Sequence, residues 1–253
     1  MKITIITVTL NSQDTIRDTL NSVLSQTYRN IEHIIVDGGS KDKTLGIIKR
    51  YPNKNKKVYT LLGSGIYEAI NFGIKNSKGS FITILNSDDF FHSEKTINNV
   101  VREINNNKKN KIFFSNVSYF KNVNYYKIIR LFSGKYFKTW QMRIGLMPAH
   151  PGSFISKNIY KKYGLYEEKY KIASDFEFLL RVLFIKSIKY YNIPFATVKM
   201  RLGGISSKNL WSYVISTSEI IRSHTKNNIR PYKTLIGLRF IFKLSQLYFF
   251  NTA

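Results

Sequence analysis

The chain has 253 residues, 43% of them hydrophobic and 15% aromatic, enough for a sizeable core, so disorder throughout is excluded. It has no cysteine, which removes disulfide scaffolds, thiolate metal sites and cysteine nucleophiles. Against 15 Asp+Glu stand 40 Lys+Arg, net +25, a field that attracts polyanions: nucleic acid, anionic lipid headgroups or phosphorylated substrates.

The first apolar stretch, Ile3 to Leu10, is far shorter than the roughly 20 residues of a bilayer span and lacks a small-residue cleavage site. It is expected to be a buried strand, in a protein that stays in the cytoplasm unless something else carries it. Its β-branched run, Ile3 to Thr9, suits a strand covered on both faces. Asn11 and Ser12 can cap a helix running to about Ser25, with Ile16, Leu20, Val23 and Leu24 on one side. A strand at 31–36 and a helix at 42–50 follow, then a strand at 57–62, a helix at 66–76 and a strand at 80–85. This alternation predicts right-handed βαβ units and a mostly parallel sheet flanked by helices.

Beyond about residue 105 the pattern changes. Residues 105–110 read as a polar surface loop, and 111–130 as an antiparallel pair turning through Lys121–Asn124. A loop at 136–150, a short strand at 153–155, helices at 158–163 and 175–184, and a strand at 195–199 come next. Helices at about 208–226 and 232–250 close the chain. The division expected is a catalytic domain at 1–206, with halves at about 1–105 and 106–206, and a basic helical tail at 207–253.

In an open parallel sheet, ligands bind beyond the carboxyl ends of the strands. Three such ends carry polar residues: Thr7 to Asn11, Asp37-Gly-Gly-Ser40 and Asn86-Ser-Asp-Asp89. Asp37 can accept from the imide N–H of uracil or from a ribose hydroxyl, and Gly38 lets backbone approach a ligand. Asp88 and Asp89 suit a hard divalent cation that shares oxygen ligands with phosphates. Taken singly, an Asp-Gly-Gly is a turn and an Asp-Asp a helix cap. Convergence on one sheet edge favours a site.

These segments, with Ser22–Tyr28, Glu32–Thr44, Gly65–Asn71, His150–Phe154, Tyr163–Tyr166, Ala173–Phe178 and Gly203–Ser206, resemble the family 2 glycosyltransferases in the family's order. The resemblance covers about the first 210 residues. It implies a GT-A fold and an inverting transfer of a hexose or N-acetylhexosamine from a nucleotide-sugar donor, a UDP-sugar first. The acceptor implied is a lipid-linked glycan of surface polysaccharide (O-antigen or capsule) synthesis.

By the same resemblance Thr9, Asn11, Asp37 and Gly38 would contact the nucleotide, Asp88 would lie near the ribose, and Asp89 would hold Mn²⁺ or Mg²⁺. Asp175 would be the catalytic base. Gly203, Gly204 and Ser206 would close over the donor, with Arg201 meeting phosphate oxygens and His150 near the metal or acceptor. Departures from the pattern are visible: Asn86 and Ser87 replace the first acid of an Asp-x-Asp motif, and Ser174 stands where many members have Glu. Lys41 and Lys43 fall in a loop that is commonly less basic, and Glu68 replaces a common Asp.

A helix from Tyr232 would place Arg239, Lys243 and Gln246 in one stripe. It could pack on the domain or lie on an anionic membrane surface, as a peripheral protein on the inner face of the plasma membrane. A sugar nucleotidyltransferase would instead show a Gly-rich basic loop after the first strand, where Thr9-Leu-Asn-Ser-Gln-Asp14 stands. A nucleic-acid-binding protein would account for the charge but not for the aspartates at strand ends, so nucleic acid is not the expected partner.

Overall fold

The computed structural model describes residues 1–53, 55–120, 128–202 and 210–239. The first half is a set of parallel βαβ units: β1 (Ile3–Thr9), α1 (Ile16–Leu24), β2 (Ile31–Asp37), α2 (Thr44–Arg50), β3 (Lys56–Thr60), α3 (Ile66–Asn76) and β4 (Phe81–Ile84). β1 is central, pairing with β2 from Ile3↔Ile31 to Thr9↔Asp37 and with β4 from Ile3↔Phe81 to Ile6↔Ile84, both parallel. All seven of its residues are buried, as a strand covered on both faces requires.

The second half adds β5 (Phe90–Phe91), α4 (Thr96–Asn106), β6 (Ile112–Phe120), β7 (Ile128–Phe132), β8 (Ser153–Ser156), α5 (Lys157–Tyr163), α6 (Ser174–Leu179), β9 (Tyr190–Arg201) and α7 (Leu210–Lys226). A further helix occupies 233–239. The strands form one sheet in the order β3-β2-β1-β4-β8-β6-β9-β5, with β7 also on β6. β8 runs antiparallel to β4 and β6, whereas β6 and β9 are parallel. The mixed sheet with helices on both faces agrees with the expected fold class.

Alternation along β1 builds two cores. Ile6 and Val8 pack with Ile34, Val36 and the buried side of α3, and this cluster extends through α6 to Ile220 and Ile236. Ile3 and Ile5 face the other way, with Val23 and the α4 residues Ile97, Val100, Val101 and Ile104. The period of two thus puts α3, α6 and α7 on one face and α1 and α4 on the other.

Several elements differ from expectation. α1 begins at Ile16, because the backbone of residues 11–13 bonds to the loop after β2 instead of continuing a helix. Leu24 is exposed rather than part of the buried side. α4 was not anticipated, although its buried positions fall at i, i+3, i+4 and i+7. Short 3₁₀ turns at Thr139–Ile144 and His150–Gly152 replace the expected loop. The helix after Asp175 widens into a π-turn at Leu180–Ile185, and β9 spans twelve residues rather than five. The turn at Lys121–Asn124 lies outside the described residues.

The last helices are part of the body. Ile220 and Ile236 are buried in the main core, and His224 is fully buried, its ring nitrogens 2.8 and 3.0 Å from the Ile220 and Met142 carbonyl oxygens. Arg239, expected in a basic stripe, is 3% exposed and donates to Ser216 and Thr217 hydroxyls with its guanidinium over Tyr213. Lys243 and Gln246 lie outside the described residues. No helix among the described residues is long and apolar enough to cross a membrane.

Close packing at the amino end of β1 gives a direct test. A Cβ on Gly79 would stand 2.5 Å from Thr4 Oγ1 and 2.6 Å from the Thr4 amide nitrogen, and the latter cannot move without disturbing β1. Gly79→Ala is expected to destabilise the protein by about 1–3 kcal/mol, read as a lower urea midpoint.

Candidate active site

A cleft of about 650 Å³ opens at the carboxyl ends of β1 and β4, within the range of a small-ligand site. One wall comes from Thr9 to Ser12, Gly38 and Asn86 to Asp88, the other from His150, Lys171, Ile172 and Asp175. Tyr67 and Tyr166 line the cleft as well.

The first wall is a mesh of two loops. The Asn11 amide donates to Ser40 Oγ at 2.9 Å, while Asn11 Oδ1 accepts from the Lys41 amide at 2.9 Å. Ser12 N–H reaches Thr44 Oγ1 at 2.8 Å and Gln13 N–H reaches Asp42 Oδ2 at 3.1 Å. Asn11 adopts φ +49°, a left-handed conformation its short polar side chain tolerates. Ser12 and Ser87 hydroxyls, 2.8 Å apart, join this mesh to the β4 loop.

Thr9 Oγ1 is buried on the cleft wall with no hydrogen-bond partner among the described residues. A buried polar atom left unpaired costs about 1–3 kcal/mol, so it marks a place where a ligand could supply the missing partner.

Asp37 is fully buried and spends its carboxylate on its own turn. Oδ2 accepts from the Gly39 and Ser40 amides at 2.9 and 2.8 Å, and Oδ1 from Ser40 Oγ at 2.5 Å. It therefore shapes the loop, and Gly38 is the residue of this segment that lines the cleft.

Asp88 lines the cleft, whereas Asp89 is 1% exposed behind it. Asp89 Oδ2 accepts from Asn86 Nδ2 and Oδ1 from the Arg201 amide, each at 3.2 Å. Burial, followed by the Asp88 charge, pushes the Asp89 carboxyl well above the usual carboxylate range. Arg201 is buried too, and it braces this loop: its guanidinium meets Asp18 Oδ2 at 2.8 Å and the Asp88 carbonyl at 3.3 Å. The structure does not bring it to the cleft wall. Gly203, Gly204 and Ser206 lie outside the described residues.

Among the described residues no three His, Asp or Glu side chains form a ready-made metal cage. The donor chemistry still fits a divalent cation shared with a ligand's phosphates, which needs only one or two carboxylates from the protein. Two adjacent aspartates, one at the cleft and one whose ionisation its neighbour opposes, are such a set.

On the opposite wall, Asp175 is 8% exposed in the first turn of α6. Its Oδ1 accepts from the Phe176 amide at 2.8 Å, and Oδ2 pairs with His150 Nδ1 at 3.0 Å. Burial pushes this carboxyl up, but the His150 imidazole and the backbone amide outweigh it and hold it below its ordinary value. His150, half-exposed on the cleft, comes from the 3₁₀ turn that precedes β8.

Tyr67 is buried, its hydroxyl donating to the Ile172 carbonyl at 2.5 Å, so it holds the loop before Asp175 as well as lining the cleft. Trp140 is largely exposed and is not among the cleft residues. Lys171, at the cleft, had no motif to announce it in the sequence. Asn71, within the Gly65–Asn71 segment, is a bracket: it bonds the Tyr166 amide and carbonyl at 3.0 and 2.8 Å.

Two loop walls at the strand ends, one carrying the cleft carboxylate Asp88 and the other the buried Asp175, lie where an open α/β sheet places a ligand. A sequence model described as Glycosyl transferase family 2 matches residues 4–164, and the chain belongs to that family. It is 30% identical over 196 residues to an uncharacterized glycosyltransferase of Rickettsia typhi, covering 74% of this chain and 60% of that one. It is 28% identical over 227 residues to the UDP-Glc:alpha-D-GlcNAc-diphosphoundecaprenol beta-1,3-glucosyltransferase WfaP of Escherichia coli, covering 87% and 86% of the two chains. Among solved structures, S. aureus TarS 1-349 in complex with UDP-GlcNAc superimposes with a TM-score of 0.71 at 20% identity, over 95% of this chain and 72% of the other. Mannosyltransferase PcManGT from Pyrobaculum calidifontis, in complex with GDP-Man and Mn2+, gives 0.64 at 15% identity over 94% and 68%. The fold is that of the GT-A glycosyltransferases.

The opposing effects on Asp175 predict the outcome of removing its partner. In His150→Ala the burial effect stands less opposed, so the Asp175 carboxyl should titrate at higher pH than in the parent. Carbon-13 NMR of the side-chain carboxyl measures this, and an unchanged titration contradicts the assignment.

Proposed function

We propose that the protein is an inverting glycosyltransferase that moves a hexose or N-acetylhexosamine from a nucleotide diphosphate sugar, a UDP-sugar first, to a sugar hydroxyl of a lipid-linked acceptor. The observation that carries this reading is Asp175: a buried carboxylate kept ionised by His150, opening onto the same cleft as the Thr9, Gly38 and Asp88 wall.

The donor's nucleotide would lie along the first wall, with Thr9 Oγ1 gaining its missing partner and Gly38 permitting close approach. Asp37 would act by fixing that loop and by any contact its carboxylate keeps with the base, and Asn11 by its place in the mesh. Asp88, from the cleft wall, and Asp89 behind it are the carboxylates that would hold Mn²⁺ or Mg²⁺. When bound, that ion stabilises charge on the leaving diphosphate. Gly203, Gly204 and Ser206 are assigned to closure over the donor, and Arg201 to the donor side through the Asn86–Asp89 loop it braces.

Asp175 takes the proton from the acceptor hydroxyl as that oxygen attacks the anomeric carbon, a role worth about 10²–10⁴-fold. His150 sets its ionisation and lies where the acceptor enters. One base on the face opposite a departing diphosphate gives a single displacement with inversion.

The acceptor of WfaP, a diphosphoundecaprenol-linked sugar, supports a lipid-linked acceptor here, as surface polysaccharide synthesis would need. TarS, in complex with UDP-GlcNAc, supports the donor class. A lipid-linked acceptor puts the enzyme at the inner face of the plasma membrane, and the net charge of +25 favours an anionic surface. The exposed Trp211, Val214, Leu235 and Leu238 of the last helices are side chains that could enter its interface.

Thermal unfolding with UDP, GDP, CDP and TDP, each with Mn²⁺ and then with EDTA, tests the donor. A nucleotide at about 100 times its Kd adds roughly 2.7 kcal/mol, and a metal-dependent shift with UDP, lost in Asp88→Ala, is expected. A shift with GDP alone would overturn the uracil assignment, and none at all would overturn the reading. In turnover with a UDP-sugar, Asp175→Asn should lose about 10²–10⁴-fold in kcat while keeping the nucleotide shift.

A further inference from the structure

The loop that delivers Asp175 is held from outside the residues that carry the family's motifs. Three consecutive backbone amides precede α6, and all three donate to one side chain on α7. Lys171 N–H reaches Glu219 Oε1 at 2.6 Å, and the Ile172 and Ala173 amides reach Oε2 at 2.9 and 2.8 Å. Glu219 is 9% exposed, so these bonds are made with little competing water.

The opposite side of the same segment is fixed from the cleft. The Ile172 carbonyl accepts from Tyr67 Oη, so the two peptide groups flanking that residue are tied to α7 on one side and α3 on the other. The following turns of α7 carry the contact further: Ser223 Oγ lies 3.3 Å from Tyr170 Oη, and the His224 ring packs on Phe176, centroids 5.5 Å apart. Phe176 is the residue whose amide bonds Asp175. Lys226 adds a surface ion pair to Glu167.

A helix docked only for stability would fill this position with an apolar side chain. A carboxylate here does something specific: it neutralises three inward-pointing donors that would otherwise force the loop to turn toward water. The loop in question carries Lys171 to the cleft and starts the turn that presents Asp175.

We propose that Glu219 is a positioning residue of the transferase site, acting from α7 through the 171–173 backbone to place Asp175. The proposal rests on Asp175 being the base, and it makes α7 part of the catalytic unit rather than of an appended tail.

Three variants of the full chain test it. Glu219→Gln keeps the side chain's shape but turns an amide donor toward at least one of the three N–H groups. It should lower kcat by roughly 10- to 100-fold with donor KM within about twofold, since a small misplacement of the base costs the chemical step. Amide hydrogen exchange should accelerate at residues 171–173 and not in β1. Glu219→Asp, which keeps the carboxylate, should retain more of kcat than Glu219→Gln and serves if the latter does not fold. Lys226→Ala removes the surface link between the same elements and should change kcat by less than about twofold.

In the Asp175→Asn background, adding Glu219→Gln should cost nothing further, because both act on one group. An unchanged kcat in Glu219→Gln, a loss confined to KM, or losses that multiply with Asp175→Asn would each overturn the proposal. Absence of turnover in the parent with every nucleotide sugar it binds would instead end the transferase reading. Hydrogen exchange would then still decide whether Glu219 holds the loop.

Discussion

Keeping one carboxylate ionised where water hardly reaches is the constraint on which the site depends. Burial alone would push Asp175 toward its neutral form, and a neutral acid cannot take a proton. The remedy is local and specific: the His150 imidazole at 3.0 Å and the Phe176 amide at 2.8 Å. Each remedy imposes its own demand on the fold. His150 must arrive from the turn before β8, where Gly152 passes so close to Ser115 that a Cβ would stand 2.9 Å from the Ser115 carbonyl oxygen. The Asp175 loop must be pinned by Tyr67 from α3 and Glu219 from α7. Elements far apart in the chain, α3 and α7, thereby meet on the loop that carries one group.

The nucleotide half was legible because its physics is local. β-branched runs bounded by Asn, Asp and Gly announced β1, β2 and β4, and their shared carboxyl edge followed from the right-handed crossover rule. The second half was less legible because its strands do not alternate with helices, and β6 takes two further partners, β8 and β9, from distant segments. α4 escaped notice although its pattern is helical, since Asn98, Asn99, Asn105 and Asn106 among its eleven residues speak for a loop. Packing of Ile97, Val100, Val101 and Ile104 against the sheet overrides that preference.

Within the site, residue identity was more legible than residue role. Thr9, Asn11, Gly38, Asp88, His150 and Asp175 do converge on one cleft. Asp37, Asp89 and Arg201 sit one layer back, committed to backbone amides, a neighbouring carbonyl and Asp18. Sequence alone could not separate these layers, because a strand-end carboxylate can point at a ligand or fold back on its own turn with the same neighbours in the chain. Glu219 was invisible for a different reason. Its partners are backbone amides, which leave no trace in side-chain pattern.

Asp89 and Asp175, both buried, show how partners decide the direction of a shift that burial alone would drive upward. Burial raises both, and it is the largest influence on each. Asp89 has the Asp88 charge beside it. The Asn86 and Arg201 donors and the Arg201 charge pull it down, but burial and Asp88 outweigh them, so it stays well above the usual range. Asp175 has an imidazole, so it ends below. Environments that drive two carboxyl groups apart assign them opposite tasks. On the proposed reading the contrast has a direct chemical sense. Asp175 is prepared to accept a proton before anything binds, whereas the Asp88–Asp89 pair gains from a cation that only a diphosphate-bearing donor needs. On the cleft walls Asp14, Asp88 and Asp175 stand with Lys171, so most of the net charge of +25 is carried elsewhere on the chain. Under the proposed function, an anionic membrane carrying the acceptor is the partner that this distribution of charge would suit.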